Sequence, residues 1–403
     1  MRIGTQILLA CLCGFAFLDG YSVRLAPFER EAYGLVLAVF GLLALLSLPR
    51  LKLRPPAIIL VVSWLSLALL ALIQGLWGNH WELAYLVGDF GVLMTPILLF
   101  LAAGVGRGDE PALFCHDKAL KVLAYGLMAA AAISFFFGRD PKLGGRYIPP
   151  NLLLAAWLIA QVLAAKANRQ RVLYLALLML FGVVAFLSNE RTTVVIWAGG
   201  VAAMVATFRG RTLAVVGGSV AISAVIAVTI IGMMAAGGDG FQSRFGKIEG
   251  GTDDSLQGRF NEVADMLATV DREWGPYDYL IGAGHGATFK PVQSFPPRNV
   301  IDGRVHNIHI GPALVFYRYG LFGLFGWAWW LVYLLRSIPR GLSPSCPPHQ
   351  RMFIFGAGFV FLDSLMRNAF VDPISCFAVA GLFHLYLVQR PAKASAVGLE
   401  KTA

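Results

Sequence analysis

The chain has 403 residues, of which 57% are hydrophobic and only 14% are charged, and its mean hydropathy is +0.67. Soluble globular proteins carry about 25% charged residues, so the composition excludes an ordinary soluble protein as well as a disordered, collagen-like or disulfide-framed one. The net charge of +10 does not indicate a nucleic-acid partner, because topology alone gives membrane proteins a surplus of basic residues.

Apolar runs separated by short charged clusters recur along the chain. Their length, about 16 to 25 residues, is that of a helix crossing a bilayer, and the weak alternation of an outer-membrane barrel is absent. We therefore expect an all-α polytopic membrane protein with about twelve transmembrane helices. The predicted spans are residues 3–18, 31–48, 57–75, 86–105, 113–136, 151–166, 171–188, 191–208, 212–234, 311–335, 351–368 and 371–389.

The basic residues predict the orientation of these helices. With the N-terminus in the cytoplasm, more than half of the 33 lysines and arginines fall in cytoplasmic segments, as the positive-inside rule requires. Both termini are therefore expected in the cytoplasm. The predicted organisation is helices 1–9 in residues 1–234, one large outer loop in 235–305, helices 10–12 in 306–390 and a cytoplasmic tail in 391–403.

The outer loop contains one predicted helix. Asp254 is a candidate N-cap with Gln257 three residues later, and apolar residues then recur at helical spacing up to Trp274, which predicts an amphipathic helix lying on the bundle. The prolines and glycines of residues 276–297 predict an irregular segment that is mobile or moulded by substrate. Within it, residues 282–286 (Gly-Ala-Gly-His-Gly) lack the spacing of a dinucleotide fingerprint and predict a turn.

Three arginines of the outer side stand out, because positive charge is disfavoured there. Arg191 opens a span after a short polar hinge and could clamp a phosphate bidentately, or it could anchor the hinge by pairing with Glu190. Arg146 lies in a glycine-rich loop that could approach a pyrophosphate or be merely solvated. Arg367 follows Asp363 by four residues, which favours a structural ion pair on one helix.

Two histidines mark the point where the outer loop returns to the membrane. A spacing of three residues predicts that His306 and His309 share a helical face, and a neutral imidazole can accept a proton from a hydroxyl group. A structural role is the alternative. Metal binding is disfavoured because no acidic residue at a matching spacing supplies a third ligand.

These motifs occur in a defined order over residues 180–335. They are Asn189-Glu190-Arg191-Thr192, Gly258-Arg259, Trp274, Leu280-Ile281-Gly282-Ala283-Gly284, His306-Asn307 and Gly320-Leu321-Phe322-Gly323. Together they resemble the superfamily of O-antigen ligases and of O-antigen and exopolysaccharide polymerases. The family has a shorter spacing between its His-Asn pair and its Gly-x-x-Gly, which His309 satisfies, whereas the adjacent Asn307 favours His306.

The resemblance implies a bundle like that of the GT-C glycosyltransferases, in the bacterial inner membrane. It implies metal-independent, inverting glycosyl transfer at the periplasmic face, without a cofactor, from a glycan on undecaprenyl diphosphate to a sugar hydroxyl. Arg191, Arg259 and Arg146 would bind the diphosphate, and His306 or His309 would orient or deprotonate the acceptor. A polymerase is expected, with a second lipid-linked glycan as acceptor; a ligase, with the lipid A core as acceptor, is the alternative.

A transporter or flippase of lipid-linked sugars is the alternative from another functional class. Such proteins combine paired repeats and broken helices with charges near the membrane midplane. In this sequence only Asp89, Arg318 and Asp363 approach mid-span, and the other polar clusters lie at the outer boundary. That distribution favours an enzyme of the outer face.

Overall fold

A computed structural model describes most of the chain. The described residues are 3–20, 22–50, 53, 55–78, 83–103, 112–137, 151–187, 191–210, 212–213, 216–218, 220, 254–291, 303–306, 308–366 and 372–387. The predicted ninth span therefore lies mostly outside the described residues, and the tail lies wholly outside them.

The described residues are helical almost throughout. The helices are α1 Ile3–Gly20, α2 Ser22–Ser47, α3 Pro55–Ile73, α4 Leu83–Ala103, α5 Asp117–Phe137, α6 Leu152–Ala164, α7 Asn168–Leu187, α8 Arg191–Val205, α9 Asp254–Glu273, α10 Pro276–Ile281, α11 Gly311–Leu342, α12 Pro348–Ser364 and α13 Pro373–Leu387. A π-helical turn, Gln74–Gly78, extends α3. In these ranges the only β pairing is an isolated antiparallel bridge between Phe289 and Val305, so the all-α prediction is confirmed for the described chain.

Four helices are long and apolar enough to cross a membrane, as expected for a membrane protein. They are Pro55–Trp77, Tyr85–Ala103, Asn168–Phe186 and Gly311–Leu342. Five shorter apolar helices, α1, α2, α6, α8 and α13, accompany them among the described residues. That all twelve predicted segments cross the bilayer stays a prediction.

The centre of the bundle is formed by α6, α12 and α13. Nearly every side chain of α6 and α13 is buried, which is the pattern of helices surrounded by protein on all sides. Small residues bring them together: a Cβ on Gly356 of α12 would lie 2.9 Å from Leu153 of α6 and 3.3 Å from Ala378 of α13. Close approach at such residues replaces the hydrophobic driving force that is missing between helices in lipid.

Helix α9 confirms the predicted amphipathic helix. Its side chains Met266 and Val270 are buried in a second apolar cluster, separate from the main core, together with Phe289, Val305 and Tyr317. Two residues of the predicted apolar stripe, Phe260 and Leu267, are instead exposed. The helix therefore lies on the bundle but leaves part of its apolar surface uncovered.

Helix α11 is interrupted at Gly320. The backbone there has φ 60° and ψ −153°, a region that is essentially restricted to glycine. The interruption leaves two carbonyl groups of the preceding turn free for other donors. The N–H of Ala283 donates to the carbonyl of Tyr317 at 2.8 Å, and the N–H of Gly284 donates to the carbonyl of Arg318 at 3.0 Å. The break in α11 is thus the docking point for residues 282–284.

We expect Gly320→Ala to destabilise the protein by about 2 kcal/mol or more, because it combines a disfavoured backbone conformation with a clash. The added Cβ would lie 2.5 Å from the carbonyl carbon and oxygen of Leu280. Gly326→Ala is the matched control, since Gly326 lies in the same helix and a Cβ there meets no atom within 4 Å. Thermal unfolding of the purified variants should show a large loss only for Gly320→Ala; equal effects would contradict the docking role of the break.

Candidate functional site

A buried ion pair joins α4 to α11 near the break. Arg318 Nη1 lies 2.8 Å from Asp89 Oδ1, and both side chains are almost fully buried. Burying two charges is stabilising only when their geometry is good and their remaining hydrogen-bonding groups are satisfied. Ionisable residues within membrane helices are rare and commonly functional, so this pair defines the candidate site.

Residues 282–286 form a tight turn that completes the surroundings of Asp89. The N–H of Gly286 donates to Asp89 Oδ2 at 2.7 Å. The N–H of His285 donates to the carbonyl of Ala71 at 2.9 Å, where the π-helical turn replaces the regular hydrogen-bonding pattern of α3. Gly282, Gly284 and Gly286 all have positive φ, which explains the glycine-rich sequence.

The structure corrects part of the expectation of an irregular segment over residues 276–297, of which 292–297 lie outside the described residues. Residues 276–281 form a short helix, and residues 282–287 are buried almost without exception. They are ordered because they lie between the end of α3 and the break in α11: a Cβ on Gly284 would lie only 2.6 Å from the backbone nitrogen of Gly75. The predicted turn is confirmed, but it is an internal one.

His306 contacts both members of the ion pair. Its Nε2 lies 3.3 Å from Asp89 Oδ2 and 3.2 Å from Arg318 Nη2. The ring stacks on Tyr85, with centroids 4.0 Å apart and an interplanar angle of 13°. If Nε2 carries the proton, it donates to Asp89 and Nδ1 holds the lone pair; in the other tautomer Nε2 accepts from Arg318. The side chain is 22% exposed, so His306 is the most accessible member of the cluster that it forms with Asp89 and Arg318.

His309 belongs to a different set of contacts. Its Nδ1 lies 2.9 Å from Glu262 Oε1 on α9, and its backbone N–H donates to Glu262 Oε2 at 3.0 Å. The prediction that His306 and His309 share a helical face is therefore wrong. Residues 306 and 308–310 are not helical, and helix α11 begins only at Gly311.

Of the three predicted diphosphate-binding arginines, only Arg259 has a described side chain, and the contact that it makes lies outside the ion-pair cluster. Arg259 donates to the carbonyl of Met366 at 2.6 Å, while Glu262, three residues later on α9, binds His309. Arg191 is the first residue of α8, as its predicted hinge position requires, but its side chain is outside the description. Arg146, together with Asn307 and Arg367, lies outside the described residues.

Asp89 and Arg318 are the site residues that the motif analysis does not select. Each is a single charged residue in an otherwise apolar segment. In the sequence, the two residues are noticeable only because few charged residues lie near the middle of a predicted span. Opposite charges within predicted spans are themselves a signal of pairing. The pairing cannot be derived from spacing, however, because the two residues lie on helices far apart in the sequence.

His285 is fully buried beside the ion pair. Its ring meets Phe90 and Tyr319 edge-on, and neither ring nitrogen makes a hydrogen bond, although the carbonyl of Ala68 is near. Burial lowers the pKa of His285 to about 4; Asp89 acts in the opposite direction, and Arg318 lowers it further. His285 is therefore neutral at physiological pH and serves as an apolar packing group.

The side chains at the site do not form a recognisable metal centre. Over the described ranges, no group of three or more His, Cys, Asp or Glu side chains is arranged to hold a metal ion. Metal independence stays a prediction.

The pKa of His285 is about 4 in the folded protein and about 6.5 in an unfolded chain. Between about pH 4 and pH 6.5, unfolding is therefore coupled to the uptake of a proton by His285. Above about pH 6.5 His285 is neutral in both states and does not lower the free energy of unfolding. As the pH is lowered to about 4, protonation of His285 in the unfolded chain lowers the free energy of unfolding by on the order of 3 kcal/mol. We expect His285→Phe to flatten the dependence of Tm on pH over this range. An unchanged slope would show that other groups cause the dependence.

The chain was also compared with known proteins. Neither the models of known protein families nor the curated proteins give a match. The function therefore has to be inferred from the cluster of Asp89, Arg318 and His306 and from the sequence motifs around it.

Proposed function

We propose that the chain is a metal-independent, inverting glycosyltransferase of the bacterial inner membrane, with about twelve spans in a GT-C-like bundle. It transfers a glycan from undecaprenyl diphosphate to a sugar hydroxyl at the periplasmic face and so polymerises a surface polysaccharide. The observation that supports this most is the partly exposed His306 held against the buried Asp89–Arg318 pair. A histidine oriented by a carboxylate is an arrangement suited to accepting a hydroxyl proton.

In the proposed reaction, the acceptor oxygen forms a bond to the anomeric carbon of the donor sugar while the bond from that carbon to the diphosphate oxygen breaks. The diphosphate leaves with the bonding electron pair. The proton of the acceptor hydroxyl passes to Nδ1 of His306, whose Nε2–H donates to Asp89. Asp89 thereby orients the ring and stabilises the positive charge that develops on it.

In this proposal, the leaving diphosphate is stabilised by three arginines of the periplasmic face, Arg191, Arg259 and Arg146. Arg191 has the first role because it lies at the N-terminus of α8, where the helix dipole also favours an anion. Arg259 on α9 and Arg146 complete the set. Arg259 lies on the same helix as Glu262, which binds His309 next to the entrance of α11. Helix α9 therefore links a candidate phosphate ligand to the segment that carries His306.

Two other functions, those of a ligase and of a flippase, act on the same lipid-linked glycan. A ligase would transfer the finished glycan to the lipid A core, and loss of the protein would then leave long, unattached glycan, whereas loss of a polymerase leaves single repeats on the lipid carrier. A flippase would move the same lipid-linked glycan across the membrane. The broken helix α11 and the buried charge pair beside it are features that such a transporter would share. Purified protein given lipid-linked donor and acceptor forms a new glycosidic bond only if it is a transferase.

We expect His306→Ala to reduce product formation by about two to four orders of magnitude, the usual effect of removing a general acid or base. His309→Ala is the matched control: its imidazole is bound to Glu262 rather than to Asp89, so its effect should be much smaller. Product is measured by glycan length analysis at equal membrane protein levels. The reverse ranking would move the catalytic role to His309, and small effects of both changes would remove the proposed base.

Arg191→Ala is expected to abolish most product without lowering the amount of folded protein, because an arginine on this face binds a diphosphate that gains charge as it leaves. Arg191→Lys should restore little activity, since a point charge cannot make the bidentate contact. Normal product from Arg191→Ala at wild-type protein levels would exclude the role.

A further inference from the structure

The break in α11 gives the depth of a membrane boundary. The whole helix, Gly311–Leu342, is roughly 48 Å long at 1.5 Å per residue, which exceeds the hydrocarbon core of about 30 Å. The part after Gly320, from Leu321 to Leu342, is roughly 33 Å long and by itself matches the core. On this length, the boundary nearer to the candidate site lies close to Gly320 and not at residue 311, where the sequence pattern places the start of the span.

Helix α3 gives the same depth independently. The apolar stretch Pro55–Trp77 rises roughly 34 Å, so its end also lies at a bilayer surface. The last side chain of this stretch, Trp77, is 73% exposed, and tryptophan is enriched at membrane–water interfaces.

Helix α10 lies between these two boundary points. Gln74 Nε2 donates to Asp278 Oδ1 at 2.9 Å, which ties α10 to the end of α3. On its other side, the carbonyl group of Leu280 packs directly against Gly320. The helix is therefore held at the level of the membrane surface by both of the helices that it contacts.

The free face of α10 is apolar and aromatic. Tyr277 is 80% exposed and Leu280, one turn later, is 43% exposed. Leu321 and Phe322, which follow the break in α11, are exposed as well. Asp278, the acidic residue of α10, is turned away from this face and accepts the N–H of Gly275 as well as the amide of Gln74.

The polarity of the chain changes abruptly at the start of α10. The last residues of α9 are Asp271, Arg272 and Glu273, all charged and exposed. Within α10 the exposed residues are Pro276, Tyr277, Tyr279 and Leu280, all apolar or aromatic. A change of this kind at the depth of a bilayer surface is the pattern of a segment that enters the interfacial layer.

We propose that α10 is an interfacial anchor, whose Tyr277 and Leu280 contact the lipid of the leaflet that surrounds the ends of α3 and α11. The anchor holds the turn 282–286, and through Gly286 also Asp89, at the membrane surface. This membrane contact does not depend on the proposed glycosyl transfer. For that reaction it places His306 at the level of a lipid-linked diphosphate.

The test places an environment-sensitive fluorophore (NBD) on single introduced cysteines in the full-length protein, reconstituted in phosphatidylcholine–phosphatidylglycerol vesicles. The positions are Tyr277→Cys and Leu280→Cys, with Arg272→Cys as the matched control on the charged side of Gly275. The labelling of the unsubstituted chain, which has five native cysteines, is subtracted. Quenching by aqueous iodide is compared with quenching by a lipid that carries a doxyl group near its headgroup.

We expect the lipid quencher to be at least roughly threefold more effective than iodide at positions 277 and 280, and the opposite at position 272, as for a segment buried 5–10 Å into the interface. Iodide quenching at position 277 equal to that at position 272 would overturn the anchor. Because Tyr277 is so exposed, its substitution removes little packing, and it decides the outcome if Leu280→Cys does not fold. No turnover is measured, so failure of the anchor and failure of the proposed reaction are separate results.

Discussion

Arg318 carries a positive charge in the interior of the bundle, and its burial requires a compensating charge. Asp89 supplies it at 2.8 Å, but the carboxylate still has a second oxygen that needs donors. The N–H of Gly286 and the imidazole of His306 meet that need. The ion pair therefore depends on the loop that contributes Gly286. Removing Asp89 or Arg318 would leave an uncompensated buried charge, whereas removing the imidazole of His306 would only take one donor away from the second oxygen of Asp89.

The loop in turn depends on two departures from regular helix. The break at Gly320 releases the carbonyls of Tyr317 and Arg318, and the π-helical turn after α3 makes the carbonyl of Ala71 available. Each of these carbonyls accepts an N–H from residues 283–285. Irregular backbone in a membrane protein is tolerated where protein satisfies its polar groups, and here the irregular parts of three segments satisfy one another.

The two histidines near the start of α11 have distinct surroundings, because the backbone that carries them is not helical. After the bridge between Phe289 and Val305, residues 306 and 308–310 are not helical; His306 contacts the ion pair there, and His309 contacts Glu262 on α9. This separation supports His306 as the residue that handles the acceptor proton in the proposed transfer. His309 links α9, and with it Arg259, to the same end of the bundle.

Local sequence was sufficient for the features that depend on composition and short-range pattern. The helices follow from apolar runs of span length, α9 follows from Asp254 and the helical spacing after it, and the turn at 282–286 follows from its glycines. The pairing of Asp89 with Arg318, the partners of His306 and His309, and the burial of His285 depend on contacts between residues distant in the chain. These contacts exist only in the tertiary structure, in which α4, α11 and residues 282–286 meet at the break at Gly320. Periodicity in a sequence indicates which face of a helix is apolar, but it does not indicate which other helix that face contacts.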